Sequence, residues 1–217
     1  MAPATAMGER MRIGIFSDVH GNAAALRPVL QELTSNSDVL LFLGDLAGYY
    51  GFVNECVDLW PTQVIGVRGN HDDVLLKALT EVKAPPASYF ARYGSALWRS
   101  VQRLSPQARC LMEALPLQRT MDFDGLRVAM FHGSPWEPLV GRVYPDFAGW
   151  QKFEAVDADV VLLGHTHYQM VQRHGQKLIV NPGSVGQARD GAGAACFAIL
   201  DSCSGTAELK QVRFADM

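Results

Sequence analysis

The hydrophobic positions of this chain fall into short runs, and several of these runs end in a glycine followed by polar residues. Val39–Leu43 is a run of consecutive apolar residues that is too short for a helix, and Gly44 and Asp45 follow it. Such a run predicts a strand that is buried on both faces. In sheets covered by helices, ligands bind outside the carboxyl ends of the strands, which makes Asp45 a candidate functional residue.

The first part of the chain alternates between predicted strands and predicted helices. The strands are Arg12–Ser17, Val39–Leu43 and Thr62–Val67, and the helices are Ala23–Leu33 and Val53–Leu59. This alternation predicts a parallel sheet with right-handed crossovers. Asn22 is a suitable N-cap for the first helix, in which Pro28 predicts a kink or an early end.

The segment from Asp73 to Leu115 is patterned as helices, with an interruption at Ala84–Pro86. Its aromatic residues have mixed spacings, which favours packing in the core over the alternative of a cap above a site. These residues are Tyr89, Phe90, Tyr93 and Trp98.

The second half of the chain predicts mostly antiparallel strands. Leu117–Phe123 and Leu126–Phe131 flank Asp124-Gly125, a strong hairpin signal. Further strands are predicted at Val160–Leu163, in a hairpin over Met170–Val180, at Ala194–Leu200 and at Ala207–Phe214. The economical arrangement is a four-layer αββα sandwich, in which two mixed β-sheets lie face to face and helices flank them.

Composition limits the classes of protein. A chain of 217 residues with 48% hydrophobic and 19% charged residues is typical of one globular domain. We expect residues 1–10 to be a flexible extension and residues 11–217 to form this domain. A net charge of −3 without a basic block predicts no stable nucleic-acid complex, and no segment is apolar enough to predict a membrane partner. The four cysteines lack CxxC spacing, which favours reduced thiols and a cytoplasmic location.

The histidines are placed unevenly along the chain. Five of the six follow predicted strand ends beside glycine, aspartate or asparagine. They are His20, His71, His132, His165 and His167, whereas His174 is expected on the surface in a hairpin turn. Asp18 and His20 are two residues apart, as are His165 and His167, so on an extended segment each pair points one way. A helix-capping Asp with a surface histidine is the alternative explanation for the first pair.

Taken together, Asp18, Asp45, Asn70 and four or five imidazoles are expected at one edge of the sandwich. This set is too large for one tetrahedral site and suits two metal ions that share a carboxylate. Mixed nitrogen and oxygen ligands predict two divalent transition-metal ions, with manganese expected and iron, zinc, nickel or cobalt as alternatives.

In these residues the sequence resembles the calcineurin-like metallophosphoesterases, and especially the small bacterial and archaeal phosphodiesterases of that family. The matching motifs, in order, are Asp18-x-His20, Gly44-Asp45, Gly69-Asn70-His71-Asp72, His132-Gly133 and Gly164-His165-Thr166-His167. The resemblance implies one metal held by Asp18, His20, Asp45 and His167, and a second held by Asp45, Asn70, His132 and His165. It also implies catalytic roles for His71 and Asp72, with in-line attack on phosphorus by a metal-bridging hydroxide.

Departures from the family pattern narrow the expected substrate. After Gly44-Asp45 the chain lacks the arginine-containing loop of the protein Ser/Thr phosphatases, and Asp72 replaces their glutamate. We therefore expect hydrolysis of a small phosphodiester, with a nucleotide as one candidate. A phosphomonoesterase, or a non-catalytic scaffold like the retromer subunit of this fold, is the alternative, and a homo-oligomer is compatible with either. Arg68, Tyr49 and Asn70 are candidate substrate-binding residues, and Ser184 and Arg189 are left open between a structural turn and a substrate contact.

Overall fold

Two five-stranded sheets form the centre of the described chain. The computed structural model describes residues 10–81, 84, 86–189 and 193–214. The strands are β1 Arg12–Phe16, β2 Val39–Phe42, β3 Val64–Gly66, β4 Gln118–Phe123, β5 Leu126–Phe131, β6 Val160–Leu162, β7 Gln169–His174, β8 Lys177–Pro182, β9 Ala195–Asp201 and β10 Thr206–Val212. The α-helices are α1 Ala23–Asn36, α2 Val53–Asp58, α3 Asn70–Glu81, α4 Ala87–Tyr93, α5 Ala96–Arg103 and α6 Pro106–Ala114, and a 3-10 helix covers Trp150–Ala155. Most of the predicted extension, Pro85 and the last three residues lie outside the described residues.

The first sheet has the strand order β10-β9-β1-β2-β3. β1, β2 and β3 are parallel, as the alternation of strands and helices predicted, with Ile13 opposite Val39 and Leu40 opposite Val64. β9 and β10 add to the other side of β1 in antiparallel pairing. The carboxyl ends of the three parallel strands therefore lie along one edge.

The second sheet has the strand order β4-β5-β6-β8-β7. Both predicted hairpins are confirmed, with Phe123 opposite Leu126 and His174 opposite Lys177. However, β5, β6 and β8 are parallel, so the expectation of mostly antiparallel strands is wrong for the centre of this sheet. The cause is twofold: the segment between β5 and β6 is long enough for a crossover, and β7 takes the edge position, which places β8 beside β6.

Alternating side chains of the two sheets build three apolar layers. Ile13, Ile15 and Leu41 of the first sheet pack with Val128 and Met130 of the second. The outer face of the first sheet packs against the α-helices. The outer face of the second sheet is covered by the 3-10 helix and its loop, chiefly through Phe153. This arrangement confirms the predicted sandwich of two mixed sheets with flanking helices.

The helix α1 is longer than its proline predicted. The side-chain oxygen of Asn22 accepts a hydrogen bond from Ala25 N–H at 3.1 Å, as expected of the N-cap, but the helix runs past Pro28 to Asn36. An interior proline costs ~3 kcal/mol, and each fully buried large apolar side chain contributes about 1.5–3 kcal/mol. The apolar residues of the buried face include Leu26, Val29 and Leu33. Their burial outweighs the cost of the proline.

All four cysteines are free, with Cys56 and Cys196 buried and Cys110 and Cys203 exposed. Within the described residues, every helix is too short or too polar to cross a bilayer.

Candidate metal centre

The carboxyl ends of the parallel strands from both sheets meet at one edge of the sandwich. Asp18, Asp45 and Asn70 follow β1, β2 and β3, while His132 follows β5 and the His165–His167 segment follows β6. Backbone hydrogen bonds connect these loops: Asp18 N–H donates to the Gly44 carbonyl and Gly164 N–H donates to the His132 carbonyl, each at 2.9 Å. Parallel strand direction in both sheets thus brings the predicted ligands together.

The backbone at these positions is left-handed and not extended, contrary to our expectation for the two closely spaced pairs. The residues with φ between 53° and 65° are Asp18, His20, Asp45, His165 and His167. Non-glycine residues in this region cost about 1–3 kcal/mol each, and they concentrate at functional sites. The left-handed turns point His165 and His167 into two different groups of side chains.

Three groups of side chains have potential ligand atoms that all lie within 4.8 Å of one another. They are Asp18, His20 and His167; Asp45, His132 and His165; and His20, Asp45 and His71. Asp45 belongs to two of them, because its Oδ2 lies 3.3 Å from His132 Nε2 and 3.9 Å from His20 Nε2. One buried carboxylate therefore lies between the two ends of the site.

Backbone carbonyls fix the ring orientation of three histidines. Nδ1 of His20 lies 3.1 Å from the Ala47 carbonyl, and Nδ1 of His167 lies 2.8 Å from the Gln187 carbonyl. His132 Nδ1 is held in the same way, 2.8 Å from the Leu43 carbonyl. Because a carbonyl oxygen only accepts, each Nδ1 carries the hydrogen, and each neutral ring presents the Nε2 lone pair to the site.

These lone pairs fit a metal ion. The Nε2 atoms of His20 and His167 are 3.0 Å apart, so two lone pairs face each other unless a proton or a cation lies between them. Among the described residues, Asp18 Oδ1 and His165 Nε2 are buried without a hydrogen-bond partner. Buried polar atoms are normally bonded, and carboxylate and imidazole ligands together suit divalent transition metals.

The electrostatics of the cluster also favour positive charge. Burial opposes ionisation of Asp45, but His132 and His71 hold the pKa of this carboxyl far below its usual range. Burial likewise opposes protonation of His132, yet the Asp45 carboxylate raises the pKa of His132 to about 9. The Asp18 pKa is also lowered, chiefly by His167 acting against burial. The two carboxylates therefore stay ionised in the interior and attract cations.

His71 lies beside this cluster beneath a tyrosine cap. Its Nδ1 is 2.5 Å from the Tyr89 hydroxyl, and its ring contacts Tyr93 edge-on with centroids 4.8 Å apart. Tyr89 and Tyr93 belong to α4 and form the cap that we held as the alternative, while Tyr89 also packs against the core, as expected. Burial lowers the pKa of His71 to about 4, which keeps the ring neutral at physiological pH.

Asp72 is buried but does not face the cluster. Its Oδ2 accepts hydrogen bonds from Asp45 N–H at 2.9 Å and Gly69 N–H at 3.1 Å, and its Oδ1 accepts one from Ala47 N–H at 2.9 Å. Burial and the Asp45 charge raise the pKa of Asp72 to about 7, while these hydrogen bonds act in the opposite direction. The carboxylate joins the loops after β2 and β3, so its observed contacts are those of a positioning residue, and the catalytic role that we expected stays a prediction.

The other predicted substrate-binding residues are placed differently. The Arg68 side chain turns away from the cluster. Its guanidinium donates to the Glu113 carbonyl at 3.1 Å and lies 3.7 Å from the Asp73 carboxylate. The observed contacts of Arg68 are therefore structural and do not support its predicted role in substrate binding. Tyr49 does lie at the site, with its ring 4.7 Å from that of His20. Asn70 lies there too, with its Oδ1 3.0 Å from His132 Nε2.

The turn from Asn181 to Gln187, a motif that begins at the end of β8, is structural at Ser184. Its hydroxyl donates to the Asp18 carbonyl at 2.8 Å and accepts from Gln187 N–H at 2.8 Å. Asn181 Nδ2 similarly donates to the Gly164 carbonyl at 2.8 Å. These two side chains hold the loops that carry Asp18 and His165, which supports the structural-turn interpretation of this motif.

A cavity of about 240 Å³ opens onto the cluster. Its lining includes Asp45, His71, His165 and His167, together with residues outside our predicted set. Those additional residues are Arg92, Tyr93, Arg142 and Tyr144, and the cavity is also lined by Arg189, which the sequence left open between a turn and a substrate contact. Sequence reasoning missed both Arg92 and Arg142, because Arg92 lies among aromatic residues that we assigned to the core and Arg142 follows the Gly133–Gly141 loop, in which Gly141 N–H donates to the Glu137 carbonyl.

Gly69 leaves the space that Asp45 occupies. A Cβ at Gly69 would lie 2.1 Å from Asp45 Oδ1, whereas a Cβ at Gly51 would meet nothing closer than 3.9 Å. We expect Gly69→Ala to weaken Mn²⁺ binding by about 10–100-fold and to lower the free energy of unfolding by about 1–3 kcal/mol. Calorimetric titration with Mn²⁺ and urea unfolding measure the two effects, with Gly51→Ala as the matched control. Equal behaviour of the two variants would contradict this account of Gly69.

The fold and the site together define a class: an αββα sandwich with a His/Asp metal-binding edge. The signature of the calcineurin-like phosphoesterase superfamily domain matches residues 11–205. The chain belongs to this superfamily, whose members are metal-dependent and act on phosphate esters.

The chain is also similar to individual proteins from archaea and bacteria. The chain is 30% identical to an uncharacterised protein of Methanocaldococcus jannaschii, over 93% of this chain and 87% of that protein. It is similar to a metallophosphoesterase structure from Sphaerobacter thermophilus, with 29% identity, a TM-score of 0.77 and coverage of 95% and 89%. A hypothetical protein from Pyrococcus horikoshii shares the fold at 19% identity, with a TM-score of 0.79 and coverage of 94% and 89%.

Proposed function

We propose that this protein is a phosphodiesterase that binds two divalent transition-metal ions. Manganese is the metal that we expect. The observation that carries the proposal is the position of Asp45, which lies between two groups of histidine and carboxylate ligands. In this proposal Asp18, His20, Asp45 and His167 hold one ion. Asp45, Asn70, His132 and His165 hold the other.

The metals would supply positive charge for the phosphate oxygens and an activated water as the nucleophile. The chain itself supplies the ligand geometry: the three backbone carbonyls aim the Nε2 atoms, and Asp72 fixes the loop that carries Asp45. Two buried carboxylates reduce the repulsion between closely spaced cations.

His71 acts on the substrate in this proposal as a neutral hydrogen-bond donor. Its lowered pKa disfavours the imidazolium, and positive charge at the cluster would lower that pKa further. Burial raises the pKa of Tyr89, so its hydroxyl stays protonated and can donate to His71 Nδ1. That hydrogen bond places the imidazole hydrogen on Nε2, where it can stabilise charge on the phosphate or on the leaving oxygen.

Two walls of the cavity support a diester over a monoester. One is formed by Arg92 and Tyr93 of α4, and the other by Arg142 and Tyr144 of a separate loop. Each wall offers a ring and a cation, so a phosphate at the cluster has contacts for more than one substituent. A nucleotide ester is one such substrate, and the four free cysteines are consistent with a reducing, cytoplasmic location.

The test compares hydrolysis of bis-p-nitrophenyl phosphate with that of p-nitrophenyl phosphate, first in EDTA and then with added Mn²⁺. We expect cleavage of the diester only when metal is present. Preference for the monoester would assign the protein to the phosphomonoesterases. A folded protein that cleaves neither ester with any divalent transition metal would favour the binding scaffold.

A further inference from the structure

Three arginines line the cavity beside the cluster, and they reach it from separate parts of the chain. Arg92 belongs to α4, Arg142 follows the Gly133–Gly141 loop, and Arg189 follows β8. Within residues 10–81, 84, 86–189 and 193–214, none of the three forms an ion pair with a carboxylate. Among the other arginines of the same part, Arg10, Arg68, Arg109 and Arg127 form such pairs and the rest do not, so the shared cavity is what distinguishes the three.

Two of the three cavity arginines contact aromatic residues, and within the described residues these contacts bring no negative charge. The Arg92 guanidinium lies over the Tyr93 ring, 5.2 Å from its centroid. The Arg189 guanidinium donates to the Tyr49 hydroxyl at 3.4 Å. Like charges that share a cavity repel each other, and the resulting potential concentrates anions there.

Charge balance shows what kind of anion fits. Two divalent ions would bring four positive charges, against two negative charges from Asp18 and Asp45. A simple phosphodiester adds only one negative charge, so a site that also contains three guanidinium groups would stay strongly positive. A second phosphoryl group adds negative charge and also offers paired oxygens, which the guanidinium fork binds well.

We propose that Arg92, Arg142 and Arg189 bind a second, non-reacting phosphoryl group, so that the substrate is an ester with two or more phosphoryl groups. This proposal rests on the two-metal function proposed above. The cavity of about 240 Å³ is several times the ~30 Å³ occupied by one water molecule, and it can therefore hold more than the reacting phosphate.

The test measures the binding of pyrophosphate and of orthophosphate to the Mn²⁺-loaded protein by calorimetry. We expect tighter binding of pyrophosphate. The double variant Arg142→Gln/Arg189→Gln should lose about 10–100-fold in pyrophosphate affinity but less than about threefold in orthophosphate affinity. Arg127→Gln is the matched control, because Arg127 pairs with Asp157 away from the cavity. The double variant Arg142→Lys/Arg189→Lys should recover only part of the preference, since it keeps the charge but loses the forked guanidinium.

Two results would overturn the proposal: unchanged pyrophosphate affinity in the Gln variant, or an equal loss of affinity for both ligands. Hydrolysis of bis-p-nitrophenyl phosphate by the same wild-type preparation tests the two-metal function separately. Active wild-type protein without an arginine-dependent pyrophosphate preference would remove this proposal alone. An inactive protein that still shows the preference, with Mn²⁺ or in EDTA, would remove the proposed hydrolysis and leave the anion site.

Discussion

Replacing Asp45 by Asn is expected to lower kcat/KM for bis-p-nitrophenyl phosphate by on the order of 10³-fold. The reason is the shared position of this carboxylate, 3.3 Å from His132 Nε2 and 3.9 Å from His20 Nε2. An amide keeps the oxygen that accepts a hydrogen bond from the His71 backbone N–H at 2.8 Å. It loses the negative charge that attracts cations. The variant should therefore fold and fail in metal binding.

The measurement has two parts, the hydrolysis rate and the number of Mn²⁺ ions bound per chain. We expect the count to fall from two to one or none in Asp45→Asn, while the circular dichroism spectrum stays that of the wild type. Asp122→Asn in β4 is the control for a carboxylate far from the cluster. Full activity with two bound ions in Asp45→Asn would show that Asp45 does not bridge the metals.

Replacing His71 by Asn is expected to lower kcat by about 10²–10⁴-fold without loss of metal. His71 adjoins the proposed ligand Asn70, yet its own Nδ1 is engaged by the Tyr89 hydroxyl. The variant would lose stabilisation of the transition state, because the proposed hydrogen bond from Nε2–H forms to charge that develops during the reaction. KM should change little by comparison.

Tyr89→Phe separates the ring from its orientation. This variant removes one hydrogen bond to His71 and should cost up to about tenfold in kcat. His174→Asn is the matched control, since His174 lies at the end of β7 beside Glu154, 3.0 Å from its Oε1. Release of a metal ion from the His71 variant would contradict the catalytic assignment and make His71 a ligand.

The predicted ligands show which parts of the site could be predicted from the sequence pattern and from the positions of the strands. Asp45 and Asn70 could be placed at one edge because parallel strands deliver their carboxyl ends to the same side, and the structure brings both there. Strand position and pattern could not predict in the same way that His165 and His167 join different groups of ligands. Their left-handed backbone sends them to different groups, and an alternating pattern assumes extended geometry.

The side chains of Arg68 and Asp72 are placed differently from what the sequence suggested, and both differences have the same physical cause. Arg68 and Asp72 flank the Gly69–His71 segment, which does reach the site, so proximity in sequence suggested a role in binding or catalysis. Their side chains instead satisfy backbone groups: Arg68 donates to the Glu113 carbonyl, and Asp72 accepts from Asp45, Ala47 and Gly69. Which polar groups need partners depends on how the loops fold against each other.

By itself, the sequence determined the sandwich, the edge that carries the chemistry and the residue types gathered there, because short apolar runs and the polar residues after them are local properties of the chain. Only the tertiary structure decided that α4 covers His71 and that three arginines converge on the cavity. Those residues come from segments far apart in sequence, and their meeting depends on how helices and loops pack over the sheets. No local pattern of charge or hydrophobicity encodes such a convergence.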